Sequence, residues 1–198
     1  MRRLIHVAIV HGQADMGPIQ ERVRQAYIAK GGEQAWKASR KAVAGFWNAI
    51  EKAIDHLRLD YTKLRLYQDG LPVCGLEEKI VRDLAQQGGA NYRILLKLMV
   101  RGAKIEGTED PNLLRKEYEL IMAGLPAGSV SAGTDKPESA AVFRDLLDRR
   151  DRFIAQRIDN TLQADETGIL FLGALHRATE MLPAAIQVMS LNDFQTTR

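Results

Sequence analysis

The chain has 198 residues, a formal net charge of +3 from 28 basic and 25 acidic side chains, 45% hydrophobic and 27% charged residues, and one cysteine. That is enough chain for one self-sufficient hydrophobic core, and its charges are too balanced to argue for nucleic acid by themselves. The lone Cys74 excludes an internal disulfide, and no stretch approaches the roughly 20 apolar residues of a membrane span. Met1-Arg2-Arg3 ahead of a mostly apolar run imitates a secretion signal, but His6 interrupts the run and Asp15 follows soon after. The expectation is a soluble, complete, cytoplasmic chain forming a single domain over residues 1–198.

The first expected element is a buried strand at about residues 4–10, rich in Ile and Val and closed by His11. Gly17-Pro18 opens a helix that Gly31-Gly32 ends. From 33 to 59, Trp36, Val43, Phe46, Trp47, Ile50, Ile54 and Leu57 recur at helical spacing, which predicts a long amphipathic helix whose tryptophans serve the core or a dimer contact. Alternation over 62–67 predicts a half-exposed strand near a sheet edge, and Gln68-Asp69-Gly70-Leu71-Pro72 a turn. Cys74, in the following loop, is expected to be a buried, inert thiol.

Helices are expected at about 76–87 and 91–101, then a short strand at 103–106. Asp110 is placed to cap a helix begun by Pro111. Residues 125–137 are small and polar and predict a flexible loop. A helix over about 138–162 follows, then an apolar strand from Gly168 that stops at His176, a short helix and a last strand at 185–189. Strands alternating with helices imply a helix-rich α/β fold with a small, mainly parallel sheet.

Four groups of residues can carry chemistry. His11 and His176 each follow an apolar strand, so neighbouring strands would bring both imidazoles to the carboxyl edge, where open α/β sheets bind ligands. Asp15 lies four residues after His11, either orienting it or satisfying backbone amides of the next helix. Glu106 and Glu109 crowd a strand end, and closely spaced carboxylates raise a pKa or recruit a cation. Arg150, with Asp151 beside it, falls inside the apolar stripe of its helix. A guanidinium there needs a partner, either Glu106, an anionic substrate or a plain structural salt bridge. His6 is expected to be a hydrogen-bonded core histidine and His56 to lie on the polar side of its helix. The Gly-rich phosphate loop, the dinucleotide fingerprint, the nucleophile elbow and paired-cysteine zinc motifs do not occur.

Gly173-Ala174-Leu175-His176, Ala8-Ile9-Val10-His11, Ile105-Glu106-Gly107-Thr108-Glu109 and Arg150-Asp151 occur in an order that resembles the superfamily joining erythromycin esterases, TraB-type proteins and ChaN-like proteins. The first is similar to that group's Gly-x-x-His, and the last stands where the TraB branch carries Arg-Asn. Ala8 stands where the N-terminal motif carries glycine. The resemblance implies a hydrolytic site, with or without a divalent metal.

Two readings follow. One is a hydrolase of a small molecule or peptide, with His11, Glu106, Arg150 and His176 as catalytic residues. Asp15, Glu109 and Asp151 would line the substrate, and His11, His176 and Glu106 would be the ligands if a divalent metal is used. The other is a non-catalytic sensor of a small ligand, or an assembly protein that self-associates through the helix over 33–59. Nucleic acid is the less favoured partner, because acids interleave the basic residues of that helix.

Overall fold

The computed structural model describes residues 1–9, 20–123 and 137–191. His11 and Asp15, and the loop expected at 125–137 apart from its last residue, lie outside them. Five strands, β1 (Arg2–Ile9), β2 (Leu64–Gln68), β3 (Lys104–Ile105), β4 (Thr167–Gly173) and β5 (Ile186–Ser190), form one sheet in the order β3-β2-β4-β1-β5. All four strand pairings are parallel. The helices are α1 (Gln20–His56), α2 (Glu77–Gln86), α3 (Ala90–Val100), α4 (Pro111–Met122) and α5 (Pro137–Thr161), with one-turn 3-10 segments at Tyr61–Lys63 and Ala178–Met181. None of the described helices is long and apolar enough to cross a membrane.

Parallel strands need crossovers, and these helices supply them on both faces of the sheet. On one face Ile5, Val7, Leu66, Ile169 and Phe171 pack beneath Trp47, Ile50 and Ile54 of α1 and beneath α2 and α3. On the other, Leu4, Tyr67, Leu170 and Leu172 pack beneath Ile154 and Ile158 of α5 and beneath Ala178. The fold is therefore a doubly wound α/β sandwich with two cores separated by one sheet.

Local chemistry sets most boundaries. Gly32, with φ +76°, breaks α1 into two helical pieces, as Gly31-Gly32 led us to expect. Asp110 caps α4 by accepting from the Asn112 amide at 2.7 Å, with Pro111 at the first helical position. Trp47 lies in the core with its ring 6.4 Å from that of Phe171, while Trp36 pairs with Tyr27.

Three expectations need correction. β2 is not a half-exposed strand near an edge: it sits between β3 and β4, with Leu64, Leu66 and Tyr67 buried. Its alternating Arg65 is tolerated because Glu166 takes it in two bonds of 2.7 and 3.0 Å and Glu106 takes a third. Cys74 is exposed rather than buried. His6 is half-buried on β1, but its Nε2 has no hydrogen-bond partner among the described residues, and burial pulls its pKa down. His56 is exposed, as expected.

Glycine positions give two opposed stability tests. A methyl group on Gly107 would lie 2.6 Å from Val73 Cα and 3.0 Å from the Pro72 carbonyl, so backbone must move. Gly107→Ala should cost about 1–3 kcal/mol. Gly45, inside α1, has nothing among the described residues within 4 Å of such a methyl, and Gly45→Ala should stabilise by about 0.5–1 kcal/mol through helix propensity. Urea unfolding midpoints should move in opposite directions; equal shifts would show that this packing account is wrong.

Candidate functional site at the carboxyl edge

β1 and β4 are neighbours, with Ile9 level with Gly173. The chain leaves β1 for α1 on one face and leaves β4 for the Ala178–Met181 turn on the other. Adjacent strands whose connections depart to opposite faces define the crevice where open sheets bind ligands. His176 lies three residues beyond the end of β4, in a turn where its amide donates to the Gly173 carbonyl.

The end of β2 closes against β4 through a side chain. The Asp69 amide donates to the Phe171 carbonyl at 2.9 Å, continuing the ladder, and its Oδ2 accepts the Gly173 amide at 2.9 Å. Gly70, with φ +77°, turns the chain so that its amide donates to Glu109 Oε1 at 2.8 Å. The loops after β2 and β3 are then fastened together: Thr108 and Glu109 amides donate to the Leu71 carbonyl, and the Val73 amide donates to the Glu109 carbonyl. Thr108 Oγ1 accepts the Gln68 amide. These bonds place Glu109 in the interior with no exposed surface.

α5 supplies the opposing wall. It runs back toward the amino edge, where Leu162 precedes β4, so Arg150 lies about 16 Å up the helix from its end at 1.5 Å per residue. A five-residue strand spans about the same length, which puts Arg150 and Asp151 level with the strand ends. Arg150 donates through Nε to Glu109 Oε2 at 2.6 Å and through Nη2 to Glu109 Oε1 at 2.7 Å. Nη2 also reaches Asp69 Oδ1 at 3.0 Å, and Nη1 reaches Glu117 Oε1 of α4 at 2.6 Å. Next to it, Asp151 Oδ1 accepts from His176 Nδ1 at 2.6 Å and Oδ2 accepts the Arg177 amide at 2.8 Å. The other ring nitrogen, His176 Nε2, stands 3.6 Å from Asp69 Oδ2, and the imidazole is only 5% exposed.

Charge and burial compete at each group. Burial pulls the His176 pKa down, but the Asp151 hydrogen bond and the Asp69 charge outweigh it, so the net shift is upward. Burial pushes the Glu109 carboxyl up, against the pull of Arg150. Burial disfavours the Arg150 cation, yet its carboxylate partners more than compensate and keep it charged.

The structure brings together four of the residues singled out in the sequence: His176, Asp151, Arg150 and Glu109. Glu106 is not the partner of Arg150. It bonds Arg65 and lies 3.1 Å from Lys104 and 3.5 Å from Arg157, in a separate network over β2 and β3. Glu109, three residues on, crosses to Arg150 because the turn after β3 zips onto Leu71. Arg150 likewise has protein partners rather than an open face for an anion. Two further members are not marked as site residues by the sequence: Asp69 reads only as turn chemistry in an Asp-Gly pair ending a strand, and Glu117 reads like any solvated helix residue. One oxygen from Asp69, one from Glu109 and a ring nitrogen of His176 lie within 4.8 Å of one another, a donor set suited to a divalent cation. Such an ion would have to share Asp69 and Glu109 with the Arg150 guanidinium.

No protein-family model matches this chain, and no curated protein or solved structure matches it.

Removing Arg150 leaves Asp69 and Glu109 buried without their cation, so Arg150→Met should cost about 3–5 kcal/mol. Arg150→Lys should recover only part, because an ammonium cannot make the paired bonds to Glu109. His176 has its pKa raised on folding, so it contributes stability fully below its unfolded value near 6.5 and loses it as pH rises through the folded value. The stability gap between wild type and His176→Gln should shrink as pH is raised from 6 to 9; a gap that widens would reverse the assigned shift.

Proposed function

We propose that this chain is a hydrolase of a small-molecule or peptide substrate, with His176 as the general base. The observation that carries the reading is the 2.6 Å bond from His176 Nδ1 to Asp151. A carboxylate on Nδ1 fixes the tautomer that leaves Nε2 as the lone-pair nitrogen and stabilises the imidazolium formed when Nε2 takes a proton from water. Asp151 is itself held by the Arg177 amide, so the pair is oriented before substrate arrives. The short surrounding bonds and the near-complete burial of the ring support a site that works with little bulk water, where fixed dipoles act strongly.

Arg150 acts in this reading as a positioning residue, holding Asp69 and Glu109 at the site's wall. The resemblance to the erythromycin esterase, TraB and ChaN group points the same way, and His11 remains a proposed second histidine of the site. In the variant mechanism Asp69, Glu109 and His176 would hold a divalent metal that lowers the pKa of a bound water; the bonds that Arg150 already makes to both carboxylates favour the metal-free one.

The test is a panel of ester, amide and phosphoester substrates against wild type, His176→Asn and Asp151→Asn. Loss of His176 should lower kcat/KM by about 10²- to 10⁴-fold with the unfolding midpoint largely kept, the range for general base catalysis. The acid limb of kcat/KM should lie above pH 6.5, because the base must be neutral and its pKa is raised. Unchanged turnover in His176→Asn would end the proposal. A panel with no turnover at all, in a protein that small ligands still stabilise, would favour the sensor reading instead.

A further inference from the structure

We infer that the outer edge of β5 is a docking surface for a second copy of this chain, which pairs with it antiparallel across a twofold axis to give a continuous sheet. The sheet ends differently on its two sides. At one end β3 is two residues long and carries the exposed Lys104, and shortness and a lysine are means by which an edge is kept from pairing. At the other end β5 has five residues, is bonded to β1 on its inner side, and has no strand on its outer side among the described residues. It lacks those protections: Ile186-Gln187-Val188-Met189-Ser190 holds no charge and no proline.

The uncharged character extends past the strand. From Met181 to Leu191 there is no Asp, Glu, Lys, Arg or His, although 27% of the chain is charged. This stretch is nevertheless at the surface: Pro183, Ala184, Ala185 and Gln187 are exposed, and Val188 is 38% exposed. The arginines of the adjacent strand are turned elsewhere, Arg2 to Asp159 of α5 and Arg3 to Thr167 of β4. An edge without charge is complementary to itself, because a second copy brings no charge to repel and none to bury unpaired. A charged partner would lose hydration here without gaining a counter-ion.

Symmetry fixes the register. A strand that meets its own copy across a twofold axis presents the same patch from both sides and runs antiparallel to it. Centred on Val188, the pairing sets Val188 against the partner's Val188, Gln187 against the partner's Met189 and Ile186 against the partner's Ser190. Like faces then meet, since Ile186 belongs to the core beneath α5 and Met189 packs on the core beneath α1. One strand and the turn before it make a contact smaller than the roughly 1,200–2,000 Å² of a standard interface, so the dimer is a reversible one. Antiparallel pairing sends the two carboxyl edges in opposite directions, and each copy keeps its own candidate site.

The test is sedimentation equilibrium of the full chain from about 1 μM to about 300 μM, the range in which such a contact is read. The average mass should rise from one chain toward two, and added salt should not reverse the rise, because no charges are paired. Val188→Lys sets two ammonium groups face to face and should hold the protein at monomer mass over the same range, with its urea midpoint kept. Val100→Lys, at a 76% exposed position on α3, should leave the association unchanged. Facing residues of an antiparallel pair have Cα atoms about 4.5–5.5 Å apart, within disulfide reach. Val188→Cys, in a Cys74→Ser background, should therefore be locked as a covalent dimer by mild oxidation, a result that does not depend on the lysine variant folding. Monomer mass throughout the range, a dimer that salt dissociates, a dimer that survives Val188→Lys, or one that oxidation of Val188→Cys does not lock would each overturn the inference.

Discussion

The Arg150 guanidinium is the point on which this architecture turns. It joins α5 to the end of β2 through Asp69, to the loop after β3 through Glu109, and to α4 through Glu117. A cation this deeply placed is tolerated only because three carboxylates converge on it, and the cation in turn stabilises the two buried ones, Asp69 and Glu109. The buried members of the cluster therefore depend on one another. Its geometric demands explain features that would otherwise look incidental, such as the left-handed turn at Gly70 that aims an amide at Glu109 and the tight approach of Gly107 to Val73.

Beside this rigid post, the His176–Asp151 pair is arranged differently. Asp151 is the residue after Arg150 on the same helix, so the post also sets the height of the pair above the sheet. Asp69 links the two sets, giving one oxygen to Arg150 and facing His176 with the other. Any displacement of Asp69 would thus reach the imidazole without touching it. This coupling is what distinguishes a prearranged polar site from a collection of surface salt bridges, whose members move independently and contribute little.

How much of this could be read from the sequence follows from which interactions are local. Apolar runs, Gly31-Gly32, and Asp110-Pro111 report on their own neighbourhoods, and the elements they mark were found close to their expected places. The helical period of 138–162 was enough to put Arg150 and Asp151 on an inward face. Which acid would meet Arg150 was not legible, because Glu106 and Glu109 differ only in how the turn after β3 closes on Leu71, a contact between segments far apart in sequence. The interior place of β2 was hidden for a similar reason: Arg65 reads as a solvated residue until Glu106 and Glu166, from two other elements, are seen to cover it. Asp69 was visible as turn chemistry and invisible as a partner.

The strand order has a consequence for how the protein comes into being. β4 lies between β1 and β2, although about a hundred residues separate it from the nearer of them and more than 150 from the other. During synthesis the first two-thirds of the chain can form helices and the β2–β3 pair, but the central slot of the sheet stays empty until β4 leaves the ribosome. Through that interval two apolar strands present open edges on either side of the gap, the kind of surface that invites mispairing. Closure then requires contacts between the two ends of the chain, which makes folding a late and slow event. The strand that ends at His176 is thus also the keystone by which the nascent chain ceases to be a hazard to its neighbours.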